Sequence, residues 1–188
     1  MKARSKGRKT LSKSQTQVVP TTANAVPPSP RREMILLAIC VLLLCGIFIK
    51  KAYNMDDPLV VWTAQQIAAH PADFYGFNVN WYGYTTPMVQ TDLNPPGAAY
   101  YLAVFGIPFH WSETALHGAI ALIAVALILG IYWLARLMGG EPRVAAAFAL
   151  VCPGVFVSMG TVMTDPLMTA LWVWAIALRK APPFEFNQ

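Results

Sequence analysis

Four apolar runs separated by polar ground organise this chain. Met34–Ile49 (MILLAICVLLLCGIFI) is the first, and its sixteen residues would reach about 24 Å as a helix, so a crossing must extend into the flanking residues. Leu116–Met138 is the longest and ends at Gly139-Gly140, a helix stop. A third run starts at Pro142 and reaches Met159 with an interruption at Pro153-Gly154, and a fourth starts at Asp165-Pro166 and reaches Leu178. The third and fourth are short enough to form a re-entrant hairpin instead of two crossings. As one helix, however, residues 144–178 would stretch roughly 52 Å, too long for a single crossing. The pattern predicts an all-α polytopic membrane protein with about four spans, near 34–51, 116–138, 142–159 and 165–179, and a helical outer loop over 52–115.

Between the first two spans the periodicity changes. Asp57-Pro58 is a helix opening, with an acid as N-cap and proline at the first helical position. Leu59, Val60, Trp62 and Ile67 then give a partly amphipathic stretch to His70, where Pro71 stops it; a helix lying on the membrane surface fits. An aromatic run follows: Phe74, Tyr75, Phe77, Trp81, Tyr82 and Tyr84. Such rings stack on sugars or form the aromatic belt of a membrane interface, and the belt is preferred for most of them. Asn94-Pro95-Pro96-Gly97 is a rigid turn into the apolar segment Ala98–Phe109, expected to pack on the membrane surface or against the bundle.

Composition agrees with the pattern. Of 188 residues, 56% are hydrophobic and 12% charged, too apolar for an ordinary soluble domain. The net charge of +5 is unevenly held: residues 1–33 carry eight Lys/Arg against Glu33 alone, and the rest is mildly acidic. With its Ser, Thr, Gln and Pro27-Pro28-Ser29-Pro30, this tail is expected to be disordered. A nucleic-acid arm competes with a cytoplasmic polybasic segment lying on anionic lipid, and the lipid reading is preferred, with no nucleic-acid partner. Residues 181–188 are expected to form a short cytoplasmic tail.

Charge also sets orientation. With the amino terminus inside and four crossings, only Lys50 and Lys51 among the fourteen Lys/Arg lie outside. No Lys or Arg occurs from Ala52 to Ala135, whereas Asp56, Asp57, Asp73, Asp92 and Glu113 do. This positive-inside bias predicts an integral, multi-pass protein of the plasma (inner) membrane with a cytoplasmic amino terminus. It also puts the 52–115 loop and Asp165 on one face. A cleaved signal peptide is the competing reading of the first run, disfavoured by the long preceding region and the absence of a small-x-small site.

Acids at one face of a membrane protein are candidates for function. Asp57 and Asp165 each have a capping explanation beside the proline that follows, and Glu141-Pro142 repeats the pattern on the other side. Asp56 has none, and an outward carboxylate there suits a general base that takes a proton from an attacking hydroxyl or amine. Asp56 with Asp165 would be too few ligands for a divalent metal, and His70, His110 and His117 lack metal-site spacing, so no cofactor is expected. Cys40, Cys45 and Cys152 show no CxxC pattern and suit small buried apolar roles.

In order, these features are a first helix, Asp56-Asp57 just outside it, a helical outer loop, Pro95-Pro96-Gly97-Ala98-Ala99-Tyr100-Tyr101, and Thr164-Asp165-Pro166-Leu167. The set resembles the membrane glycosyltransferases of the GT-C class, most of all the dolichyl-phosphate-mannose protein mannosyltransferase-like branch, over residues 34–180. The resemblance implies sugar transfer, with inversion, from a polyprenyl-phosphate donor to an acceptor on the outer face. Asp56 would activate the acceptor, Asp57 would fill the second acidic place, and Asp165 would orient acceptor or donor. Tyr100, Tyr101 and Trp81 would contact substrate. Relatives carry further spans whose residues grip the lipid phosphate, so an amino-terminal part, completed by further spans or a partner subunit, is expected. The alternative is a truncated non-catalytic membrane protein or assembly subunit that keeps the fold. A transporter is disfavoured, because the spans are nearly free of ionisable groups.

Overall fold

The computed structural model describes residues 30–181, so the expectations for the basic tail before residue 30 and for residues 182–188 fall outside the described residues. The described chain is mostly helical. Helix α1 is Pro30–Gly46, α2 Asp57–Ala69, α3 Met88–Thr91, α4 Gly97–Gly106, α5 Glu113–Leu137, α6 Pro142–Val151, α7 Pro153–Met159 and α8 Asp165–Lys180. Among the described residues one helix, α5, is long and apolar enough to cross a membrane, and the α6–α7 pair is so when taken together, although it is bent by 69°.

Helix α5 is the axis of the molecule. Its 25 residues span about 37 Å, and two of its faces are buried against different partners. Leu116, Ile120, Ile123 and Leu127 recur at helical spacing on one face, which packs with α2, α4, Val162 and Ala170 of α8. Ala121, Ala124, Ile128 and Tyr132 form a second face, which packs with Val41 and Cys45 of α1, Ala146 of α6 and Met159 of α7. Small residues on this second face let backbones approach closely. The most extensive helix pairing is α5 with α8, and it depends on Gly130. A Cβ there would lie 2.9 Å from the Trp174 indole nitrogen and 3.0 Å from Val173. The bare backbone lets Trp174 Nε1 donate to the Ala126 carbonyl at 2.8 Å.

Helix ends follow from local chemistry. Pro30 opens α1, four residues before the apolar run, so residues 30–33 are helical where the sequence predicts tail. Past Gly46 the chain continues in tighter turns, with Phe48 N–H donating to the Cys45 carbonyl and Lys51 N–H to the Phe48 carbonyl, both at 2.9 Å. These turns carry the first segment to Lys51 with a longer rise per residue than an α-helix. Gly139 ends α5 in the left-handed region (φ 73°), and Gly140 N–H closes on the Ala135 carbonyl at 2.9 Å. Pro153 breaks the third run into α6 and α7, because it lacks the N–H an unbroken helix needs.

The 52–115 segment is not wholly helical. Its aromatic run forms an antiparallel hairpin, β1 (Asn78–Asn80) with β2 (Thr85–Pro87), in the register Val79↔Thr86. Gly83 supplies the positive φ (86°) that the turn requires. Val79 points inward against Leu59 and Met88, while Asn78 and Asn80 face out. The hairpin thereby hangs on α2 and overhangs the start of that helix. The α2–α4 pair is docked onto the α5 face, which places the helix starts at Asp57 and Glu113 at one end of the molecule.

Candidate functional site

At that end a small cavity of about 210 Å³ lies between the start of α2, the hairpin turn, the 91–94 segment and the loop that enters α8. Asp56, Trp81, Tyr82, Asp92, Asn94 and Thr164 supply its polar and aromatic walls, and Leu59, Val60 and Met163 its floor. Its volume lies below the roughly 300–1,000 Å³ of drug-sized sites, so it holds one small group rather than a long substrate.

The two neighbouring aspartates divide their work differently from the capping pattern read in the sequence. Asp56, not Asp57, occupies the N-cap position of α2, and Asp57 is its first residue. The same shift by one occurs at α8, where Thr164 is the N-cap and Asp165 the first residue, whereas Glu141 does precede α6 as expected. None of the three caps makes a side-chain hydrogen bond. What the two Asp-Pro pairs supply is negative charge in the first turn, which favours the positive helix end.

Asp57 is fully buried. Asn54 N–H donates to its Oδ2 at 2.7 Å, and its own N–H donates back to the Asn54 carbonyl at 3.2 Å. This reciprocal turn fixes the chain on either side of Asp56 and leaves the Asp56 carboxylate exposed on the cavity wall. Asp57 Oδ1 is buried without a hydrogen-bond partner, and so is His117 Nε2. Both side chains flank Tyr53. His117 stacks on its ring (centroids 6.1 Å apart, planes 12°) while its Nδ1–H donates to the Glu113 carbonyl at 2.9 Å. Burial, helped by the Glu113 and Asp57 carboxylates, pushes the Tyr53 hydroxyl up to about 12, so it stays protonated.

The other predicted residues are dispersed. Trp81 reaches the cavity and also meets Trp62 edge to face at 6.2 Å. Tyr100 and Tyr101 do not line it. The Tyr100 hydroxyl donates to the Pro71 carbonyl, and the Tyr101 hydroxyl donates to the Ala119 carbonyl at 2.8 Å. Both phenols are spent on holding α4 in place. Asp165 is exposed at the first turn of α8 and faces a separate cavity of about 350 Å³ with Ser158 and Thr169; only its neighbours Met163 and Thr164 reach the Asp56 cavity. Asp165 therefore does not line the Asp56 cavity, where Thr164 stands instead.

Asp92 and Asn94 were not singled out by sequence. Asp92 is buried, and its Oδ1 accepts from the Asn94 N–H at 2.9 Å and from Asn94 Nδ2 at 2.8 Å. An acid two residues before an Asn-Pro turn is the available signal, since such side chains bond the backbone two residues on.

Basic groups are sparse here. Lys51 Nζ donates to the Gly160 carbonyl at 3.3 Å, tying the start of the 52–115 segment to the loop that supplies Met163 and Thr164. Among the described residues the only salt bridge is Arg143–Glu33, at the opposite end, and no three His, Cys, Asp or Glu side chains come together as a metal site. No family model, no curated protein and no solved structure matches this chain.

Proposed function

We propose that this chain is the membrane-embedded part of a glycosyltransferase that moves a sugar from a polyprenyl-phosphate donor to an acceptor on the extracytoplasmic face, with Asp56 as the base. The membrane reading rests on the outward faces of the helices. A water-soluble bundle turns polar residues outward, but here Leu43 of α1 (70% exposed), Phe148 of α6 (71%) and Trp172 of α8 (66%) lie open, with aliphatic neighbours along each helix. On this reading α1 with its following turns (34–51), α5, the bent α6–α7 pair and α8 are four crossings. The Lys/Arg distribution then puts the amino terminus in the cytoplasm and the Asp56 cavity outside.

The observation that carries the chemistry is an exposed carboxylate, without an ion-pair partner among the described residues, on the wall of a small cavity beside Trp81 and Tyr82. Aromatic faces bind the apolar face of a sugar ring, and the amides and carboxylates of Asn94 and Asp92 offer hydroxyl partners. A lipid phosphate is already a competent leaving group, so the nucleophile is what needs help. Asp56 accepts the proton of the acceptor hydroxyl as its oxygen bonds to the anomeric carbon; the bond from that carbon to phosphate oxygen breaks, and the polyprenyl phosphate leaves with the electron pair. Asp57 serves the reaction by holding the turn that presents Asp56.

One observation favours a second reading, a non-catalytic membrane or assembly subunit of the same fold: among the described residues no lysine or arginine lines the cavity, so a departing phosphate meets no cation from them there. Glycosyl transfer from a radiolabelled polyprenyl-phosphate sugar, measured in membranes that contain the chain and its Asp56→Asn variant, decides between them. Transfer that the variant loses supports the enzyme. Absence of transfer from a well-inserted chain supports the subunit.

A further inference from the structure

An amphipathic cavity lies at the other end of the molecule from Asp56. Helices α1 and α6 both pack along α5 but scarcely touch each other, and the slot left between them has a volume of about 550 Å³. Leu36 and Leu37 of α1 face Ala146, Ala147 and Leu150 of α6 across it, and Tyr132 of α5 forms its floor. Its mouth is charged. Glu33 accepts from the Tyr132 hydroxyl at 2.7 Å and from Arg143, so its charge is already answered. Arg143 remains 61% exposed with donors to spare, and Arg32 is exposed with no salt-bridge partner among the described residues. Arg136, also exposed, lies close enough to bias Glu33. The mouth therefore carries net positive charge above an apolar slot of the size ligands occupy.

We propose that this slot binds one anionic phospholipid of the cytoplasmic leaflet, with an acyl chain between α1 and α6 and the headgroup phosphate on Arg32 and Arg143. Basic pockets between transmembrane helices on the cytoplasmic side suit acidic headgroups by charge, and the apolar walls suit the chain. The site rests on the membrane part of the reading above and not on the sugar chemistry. Its lipid would brace α1 against α6 where the protein itself leaves a gap, independently of the Asp56 cavity at the far end.

Native mass spectrometry of the full chain, released from membranes of mixed phosphatidylglycerol and phosphatidylcholine, tests this. One phosphatidylglycerol per chain is expected to survive in preference to phosphatidylcholine. Arg32→Gln, which removes no contact within the described protein, should cut that preference roughly fivefold, the factor one basic side chain gives at a membrane surface. Ala147→Trp, at an exposed slot position, should abolish retention of both lipids. Equal retention of the two lipids by the unaltered chain, undiminished phosphatidylglycerol on Ala147→Trp, or a second copy of the chain cross-linked through Ala147→Cys would overturn the proposal. Extraction of the chain by alkaline carbonate would defeat the membrane reading and this site with it; a carbonate-resistant chain that shows no lipid preference would defeat this site alone.

Discussion

The two ends of α5 treat carboxylates in opposite ways. Where α5 finishes, Glu33 is met by a guanidinium and a phenol from two other helices, and both its oxygens are hydrogen-bonded. Where α5 starts, Asp56 stands exposed without an ion-pair partner among the described residues, and Asp57 is buried with one oxygen bare. A satisfied ion pair between helices is explained by the packing it joins. The Asp56 carboxylate, held on a cavity wall at the N-cap position of α2, joins no such pair among the described residues.

The largest separation between the two ends should come from neutralising one acid at each. Asp56→Asn is expected to lower glycosyl transfer by ~10²–10⁴-fold, the range for losing a general base, and to leave the unfolding temperature in detergent unchanged. Glu33→Gln should do the reverse, lowering the unfolding temperature without touching the rate. Loss of both properties in Asp56→Asn would make that residue structural and erase the contrast. Asp165→Asn should fall between: a smaller loss of transfer than Asp56→Asn, because Asp165 opens on a different cavity and only its neighbours Met163 and Thr164 line the Asp56 cavity.

How much of this was visible in the sequence depends on how far apart the partners lie. The limits of α2 were readable, because Asp57-Pro58 and His70-Pro71 act on their own neighbours. So were the stop of α5 at Gly139 and the break before Pro153. The hairpin was not, because Phe77 to Tyr84 is short and its pairing depends on Leu59 and Met88 beneath it. In the site, Asp56 and Trp81 were named, and the cavity contains both. Tyr100 and Tyr101 do not line that cavity, and a sequence cannot say that a phenol is already bonded to Pro71 or Ala119. The bonds of Glu33 to Tyr132 and Arg143 join residues 99 and 110 positions apart in the chain, and no local pattern announces them.

Glycines on α5 extend the comparison to packing. Gly118, near the start of the helix, has only Ile49 Cδ1 at 3.9 Å from where a Cβ would sit, whereas Gly130 is pressed against Trp174 and Val173. Gly130→Ala is expected to destabilise by about 1–3 kcal/mol, the cost of overpacking, and to weaken the Trp174 bond to Ala126. Gly118→Ala should stabilise by about 0.5–1 kcal/mol, since alanine restricts the unfolded chain and nothing is displaced. Equal effects in denaturant unfolding would mean that the α5–α8 crossing is looser than its geometry.

The smallest effect concerns pH, and it separates a lock from a switch. Hydrogen bonds from Arg143 and Tyr132 hold the Glu33 carboxyl, just outside the first apolar run, down at about 2 from an ordinary 4.5. A lowered carboxyl pKa gives stability that is complete above the unfolded value and lost as pH falls through the folded one. The difference in unfolding temperature between the unaltered chain and Glu33→Gln should therefore stay constant at all pH values above 4.5 and close only as pH drops toward about 2. A gap that closed near neutrality would mean that Glu33 is not paired as the geometry has it. Because Arg143 is largely exposed, the gap itself will be modest and will shrink in high salt, as it must for a pair that water can reach.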